Sequence, residues 1–122
     1  MQAASAIPTI KNRRDFLAAT QGQKWIAPTL ILQVRRRPKD HPVQDITRIG
    51  FTVSGKVGGA IIRNRTRRRL KDIARKIAAK YVKDGHDYVV IARAQAATCD
   101  FSTLQRDMEF AFSRIHANKK PS

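Results

Sequence analysis

Residues 63–76 carry the densest chemistry in this sequence. They read Arg-Asn-Arg-Thr-Arg-Arg-Arg-Leu-Lys-Asp-Ile-Ala-Arg-Lys: eight of the fourteen are Lys or Arg, and Asp72 is the one acid. Guanidinium and ammonium groups at this density do not break bonds; they hold anions. A solvated helix normally alternates signs to gain i,i+4 pairing. Unrelieved positive charge forgoes that gain, so an external polyanion is expected to supply the compensation. On a helical wheel Asn64, Arg67, Arg68, Lys71 and Arg75 fall on one flank of an apolar stripe, and Arg65, Arg69, Lys76 and Lys80 on the other. The helix start strengthens the anion site, because its free N–H groups and dipole favour negative charge. Lys56, Arg63 and Arg65 surround it, and Gly58-Gly59 allows close backbone approach. The Gly-x-x-x-x-Gly-Lys-Ser/Thr pattern of a nucleotide loop is absent.

Bond-breaking groups are sparse by contrast. Metal-dependent nucleases need clustered carboxylates, and general acid–base catalysis needs a suitably placed His or carboxyl pair. Glu109 is the single Glu, the Asp residues are scattered, and no Asp-x-Asp or Glu-x-x-His pattern occurs. His41, His86 and His116 fall in turns or near the end. No catalytic residue and no metal ligand are expected in this chain.

The whole composition points the same way. The chain has 122 residues, 25 Lys plus Arg against 9 Asp plus Glu, and a formal charge of +16, with 42% hydrophobic residues. That is one domain's length with enough apolar residues for a modest core. Such self-repulsion is costly unless a polyanion offsets it, and phosphate backbones are the commonest such partner. One cysteine, Cys99, excludes an intrachain disulfide and suits a reducing compartment. No stretch approaches the 18 apolar residues of a membrane span, and the first ten residues lack a signal-peptide pattern. A cytoplasmic protein without membrane contact is expected.

The elements that position the basic run follow from periodicity. Residues 1–9 are expected to be a disordered tail, 10–117 one RNA-binding domain, and 118–122 a basic tail. Residues 10–20 predict a short helix with Phe16 and Leu17 on its apolar side. Residues 29–35 predict a strand with Leu30, Leu32 and Val34 on one face and Ile31, Gln33 and Arg35 on the other. A loop or hairpin connection at 36–44 leads to a second strand, 47–54, with Ile49, Phe51 and Val53 opposite Arg48, Gly50, Thr52 and Ser54. A long helix over 62–82 carries the stripe Leu70, Ile73, Ala74, Ile77 and Tyr81. Residues 87–94 form a near-continuous apolar strand, the most buried one. Ser102 opens a last helix with Gln105 completing a capping box, and Phe51, Phe101, Phe112 and Tyr81 are expected in the core. The order α-β-β-α-β-α predicts an α+β single-domain sandwich with one sheet.

The run from Gly58 to Asp72 (Gly-Gly-Ala-Ile-Ile-Arg-Asn-Arg-Thr-Arg-Arg-Arg-Leu-Lys-Asp) resembles the signature of the protein subunit of bacterial ribonuclease P. The strand Arg48–Lys56 and the strand Asp87–Arg93 are similar to that family too, and Phe16 stands where the family has an aromatic. The chain departs from the family at Gly55, Gly59, Thr20 and Gln33. The resemblance implies a mixed sheet with an unusual left-handed βαβ crossover, of the ribosomal protein S5 domain 2-like kind. It implies a ribonucleoprotein whose RNA subunit cleaves the 5′ leader from precursor tRNA. Mg²⁺ is then required by the RNA, and the protein itself binds no cofactor and needs no protein partner. It implies that Lys56, Arg63, Asn64, Arg65, Arg67, Arg68, Lys71 and Arg75 bind the catalytic RNA. Phe16, Gln33, Arg35, Arg48, Thr52 and Ser54 would meet the single-stranded leader. The alternative left open by the residues is a non-catalytic, ribosomal-type structural RNA-binding protein; a DNA-binding role is a weaker third.

Overall fold

The computed structural model describes residues 7–116. Helix α1 (Arg13–Ala19) is followed by strands β1 (Gln23–Ile26), β2 (Leu30–Arg36) and β3 (Arg48–Thr52). Helix α2 (Ala60–Ile77), strand β4 (His86–Ala92) and helix α3 (Phe101–Ile115) complete the fold. The sheet order is β1-β2-β4-β3, antiparallel except for the parallel pair β3–β4, which α2 connects. The protein is thus an α+β sandwich on one mixed sheet.

Alternation along the strands divides the side chains between two faces. Leu30, Leu32, Val34, Ile49, Val53, Tyr88, Val90 and Ala92 point to one side, where α2 and α3 cover them with Leu70, Ile73, Ile77, Leu104, Met108, Phe112 and Ile115. On the other side a smaller cluster of Ile10, Ala19 and Val89, with Phe16 and Ile91 against it, seats α1. Strand β4 lies inside the sheet, and Tyr88, Val89 and Val90 are fully buried. That burial explains why its sequence reads as a continuous apolar run.

Several expectations change. Strand β1 was not anticipated: Gln23, Lys24 and Ile26 are exposed and only Trp25 turns toward the core, so an edge strand leaves no alternating signal. The segment after β2 is no hairpin, because β4 inserts between β2 and β3. Leu17 is exposed, and α1 buries Asp15 and Ala19 instead. Helix α2 stops at Ile77, and Tyr81 lies beyond it, half-buried, donating its hydroxyl to Glu109 at 3.0 Å. Asp100, not Ser102, caps α3, and no side-chain capping bond forms. Of the tail expected at 1–9, residues 1–6 fall outside the described residues. Residues 7–9 lie against the sheet edge, with a Thr9–Ile49 bridge and the Ile49 N–H donating to the Pro8 carbonyl at 3.0 Å. The basic tail at 118–122 also falls outside the described residues.

A buried ionic network fastens α1 and the 37–46 loop to the sheet. The Asp87 carboxylate on β4 is fully buried. Arg48 approaches it side-on, with Nε and Nη2 each 2.9 Å from a carboxylate oxygen. Arg37, also buried, donates to the Asp87 Oδ1 that Arg48 Nε already bonds, and to the carbonyls of Val43, Ile46 and His86. Arg48 Nη2 reaches on to Asp15 of α1 at 3.0 Å. Removing one partner of such a set strands the other charges without solvent, at about 3–5 kcal/mol. Asp87→Asn is expected to lower unfolding free energy by about that amount, read from urea denaturation, whereas Asp72→Asn on the exposed face is expected to change it little.

Candidate nucleic-acid interface

Helix α2 begins on a glycine-dependent turn. Gly58 has φ +155°, and a Cβ there would meet the Ile62 side chain at 2.9 Å. Gly59 caps the helix with no side-chain hydrogen bond. Lys56 is exposed beside this end, and the Arg63 guanidinium donates to the Gly58 carbonyl at 3.3 Å. The buried face runs Thr66, Leu70, Ile73, Ala74 and Ile77. Thr66 tolerates burial because its hydroxyl donates to the Ile62 carbonyl at 2.8 Å.

The two basic flanks are not equivalent. The Arg65, Arg69, Lys76, Lys80 side turns toward α3 and spends part of its charge inside the fold. Arg69 donates to the carbonyls of Ala96 (3.2 Å) and Cys99 (2.7 Å), and Lys80 lies 3.8 Å from Glu109. Arg69 and Lys76 sit 5.9 and 5.5 Å from the centre of the Phe101 ring. That ring is 37% exposed, not the core residue expected from its spacing. The opposite flank is open. Asn64, Arg67, Arg68, Lys71 and Arg75 surround a shallow depression whose one acid, Asp72, pairs with Arg75 at 3.0 Å. Among the described residues this is a continuous ridge of outward cations, the arrangement that phosphates bind.

The second face lies on the α1 side of the sheet. Cross-strand register places Lys24, Gln33, Val89 and Gly50 in one row and Ile26, Ile31, Ile91 and Thr52 in the next. Phe16 lies directly on Gly50, where an added Cβ would sit 2.5 Å from the ring. Glycine at 50 therefore lets an aromatic plane rest on the sheet backbone, and Phe16 is only half-buried. Ile31, Ile91 and Thr52 remain half-exposed beyond it, with Ser54 exposed at the strand end. The three isoleucines were absent from the expected contact set, although alternation already placed Ile31 on this face.

Three residues expected on that open polar face are differently placed. Arg48 is buried, its donors taken by Asp87 and Asp15. Gln33 is buried with Oε1 unpartnered, and Arg35 is half-buried with its Nε unpartnered and Nη2 3.4 Å from Asp15. The cause is α1, which packs on this half of the sheet and brings Asp15 to the arginines. Arg37 and His41 also belong to this set of buried contacts. Each stood in a loop reading as solvent-exposed, and no local signal marks their burial against distant acids.

His41 completes the α1 anchor. Its Nδ1 accepts from the Val43 N–H at 2.9 Å, so Nε2 is the donor to Asp15 at 3.0 Å. Burial by itself raises the Asp15 pKa. The hydrogen bonds of His41 and Arg48 and their electrostatic attraction for the carboxylate outweigh that, and the pKa falls below the ordinary carboxylate value. The Arg48 pKa is raised, chiefly by its bonds to Asp87. Among the described residues no group of three or more His, Cys, Asp or Glu is arranged to hold a metal ion. Among the described residues no helix is long and apolar enough to cross a membrane.

The ribonuclease P family model matches residues 7–116. The chain belongs to the ribonuclease P protein family. The ribonuclease P protein component of Paramagnetospirillum magneticum is 39% identical over 118 residues, covering 96% of this chain and 89% of that protein. That of Ruegeria pomeroyi is 37% identical over 118 residues, covering 96% and 93%. Among solved structures, the ribonuclease P protein of Thermotoga maritima superposes with a TM-score of 0.72 at 27% identity, over 88% of this chain and 96% of that one. The family accounts for the fold and for an RNA partner in a ribonucleoprotein.

The direction of the Asp15 shift sets a pH dependence. A carboxyl whose pKa is lower folded than unfolded stabilises the fold above the unfolded value, about 3.9, and the contribution is lost as pH falls through the folded value. Asp15→Asn is expected to flatten the acid limb of unfolding free energy against pH below about pH 4. An unchanged limb, followed by circular dichroism, would separate Asp15 from acid unfolding.

Proposed function

We propose that this chain is the non-catalytic protein subunit of a ribonuclease P holoenzyme that matures the 5′ end of tRNA. The open ridge of Asn64, Arg67, Arg68, Lys71 and Arg75, with Lys56, Arg63 and Arg65 around the start of the helix, binds the catalytic RNA subunit through its phosphates. Contacts of this kind position an RNA without reading its sequence. The sheet face bounded by Phe16, Thr52 and Ser54 takes the single-stranded 5′ leader of precursor tRNA. Phe16 offers a ring for base stacking, and Ile31 and Ile91 supply an apolar bed. In this reading Gln33, Arg35 and Arg48 act beneath that surface, by holding α1 in place.

Hydrolysis is assigned to the RNA, with Mg²⁺ held by it and no cofactor held by the protein. The support is the disposition of the acids. Asp15 and Asp87 are committed to arginines, Asp107 accepts from Thr29, and Glu109 accepts from Tyr81. The protein contributes charge: by lowering repulsion between catalytic RNA and substrate it raises precursor affinity and eases the demand for Mg²⁺. A cytoplasmic site of action, with no protein partner required, fits this role. The observation that carries the reading is the outward cationic ridge of α2, which holds one acid, Asp72, against four Lys and Arg.

The purified chain alone is expected to leave precursor tRNA intact. Adding the RNA subunit at low Mg²⁺ is expected to produce leader and mature tRNA on a gel. Robust cleavage by the protein alone, or co-purification with ribosomes in place of one RNA species, contradicts the reading. For the leader face, Phe16→Leu preserves apolar packing and removes the ring. It is expected to lower preference for leader-bearing over mature tRNA by roughly 5-fold or more, the value of one base–aromatic stack. An unchanged preference in a binding titration would make Phe16 a packing residue only.

A further inference from the structure

The open flank of α2 ends at a feature that phosphate binding does not use. Between residues 7–9, β3 and α2 lies a cavity of about 220 Å³. Its floor is apolar: Ile7, Ile49, Phe51 and Ala74. Its rim carries Thr9, Lys71 and Arg75. Lys71 and Arg75 also border the basic depression of the same flank, so the two are continuous.

We propose that this cavity receives one unstacked nucleobase of the RNA bound along α2, a proposal that rests on the reading of α2 as an RNA-binding ridge. A phosphate gains nothing from an apolar floor, and a purely aliphatic ligand gains nothing from two cations at the rim. A nucleotide satisfies both, with a planar base whose faces are apolar and whose backbone is anionic. Lys71 and Arg75 are one helical turn apart, roughly 6 Å along the axis, so they flank the point at which a chain would turn its base inward. Phe51 is half-buried at the floor and presents a ring for stacking. The polar edge of the base would meet the Thr9 hydroxyl and the outer edge of β3 beyond the Thr9–Ile49 bridge. Splayed bases are the usual targets when a protein reads RNA by more than shape. The cavity thus adds register to a ridge that otherwise reads only charge.

Thr9→Trp tests this, because residue 9 is exposed and a large side chain there fills the cavity without entering the core. Unfolding temperature should stay near that of the parent. Affinity of the full chain for the ribonuclease P RNA should fall roughly 5- to 150-fold, the range for one stacked base. The slope of log affinity against log salt should not change, because no phosphate contact is lost. Probing the complex with dimethyl sulfate and carbodiimide should show a base protected by the parent protein and reactive with Thr9→Trp. Arg68→Ala, outside the cavity, should lower the salt slope by about 0.7–0.9 per lost phosphate contact. If Arg68→Ala shifts the slope while Thr9→Trp leaves affinity unchanged, the cavity proposal fails and the α2 reading stands. If Thr9→Trp weakens binding but no base regains reactivity, something other than a nucleobase occupies the cavity, and the proposal also fails. If Arg68→Ala changes neither affinity nor slope, the α2 reading falls and the proposal with it.

Discussion

One carboxylate, Asp87, organises the charge of this protein. It sits on an interior strand, fully buried, with Arg37, Arg48 and Arg35 converging on it. A buried anion is tolerable only with such partners. Here the partners come from β2, from the loop after it, and from β3. Arg48 extends the set to Asp15 and so fixes α1 on the sheet. Phe16 rests on Gly50 because α1 is held there. An interior ion network therefore defines the position of the aromatic wall.

The network also sorts the cations into two populations. Arg37 and Arg48 are consumed inside the fold, and Arg69 is spent on the carbonyls of Ala96 and Cys99. Arg67, Arg68, Lys71 and Arg75 are left facing outward around a depression whose one acid is Asp72. A formal charge of +16 is thus not a uniform coat. Residues 63–76 carry eight of the 25 Lys and Arg against one acid, and a polyanion bound along that helix relieves the repulsion among them.

The sequence made the outward population legible and hid the inward one. The 3.6-residue stripe of Leu70, Ile73 and Ile77 told which edge of α2 packs, and the flanking positions followed by geometry. Strand alternation placed Ile49 and Val53 inside and put Ile31 on the opposite face. Nothing local distinguishes Arg37 from Arg36, however, because the burial of Arg37 is decided by Asp87, fifty positions away. Arg48 and Gln33 read as open-face polar residues for the same reason: whether α1 lies over them is a tertiary fact. Strand β1 escaped notice because an edge strand with one inward side chain, Trp25, carries no alternation. Phe101 kept core spacing yet lies half in solvent, since two cations of α2 cover its ring in place of apolar neighbours.

The net positive charge on the open edge of α2 has a thermodynamic corollary. Like charges held on one rigid helix raise the free energy of the folded chain while it is alone. A ligand that binds only the folded form stabilises it by mass action. Assembly with nucleic acid therefore strengthens the fold as well as creating the complex. Chains made in excess of their RNA spend more time open, and cleavage of opened chains by cellular proteases follows that population. The same electrostatics that recruit the partner would thus remove surplus subunits and keep the protein in step with its RNA.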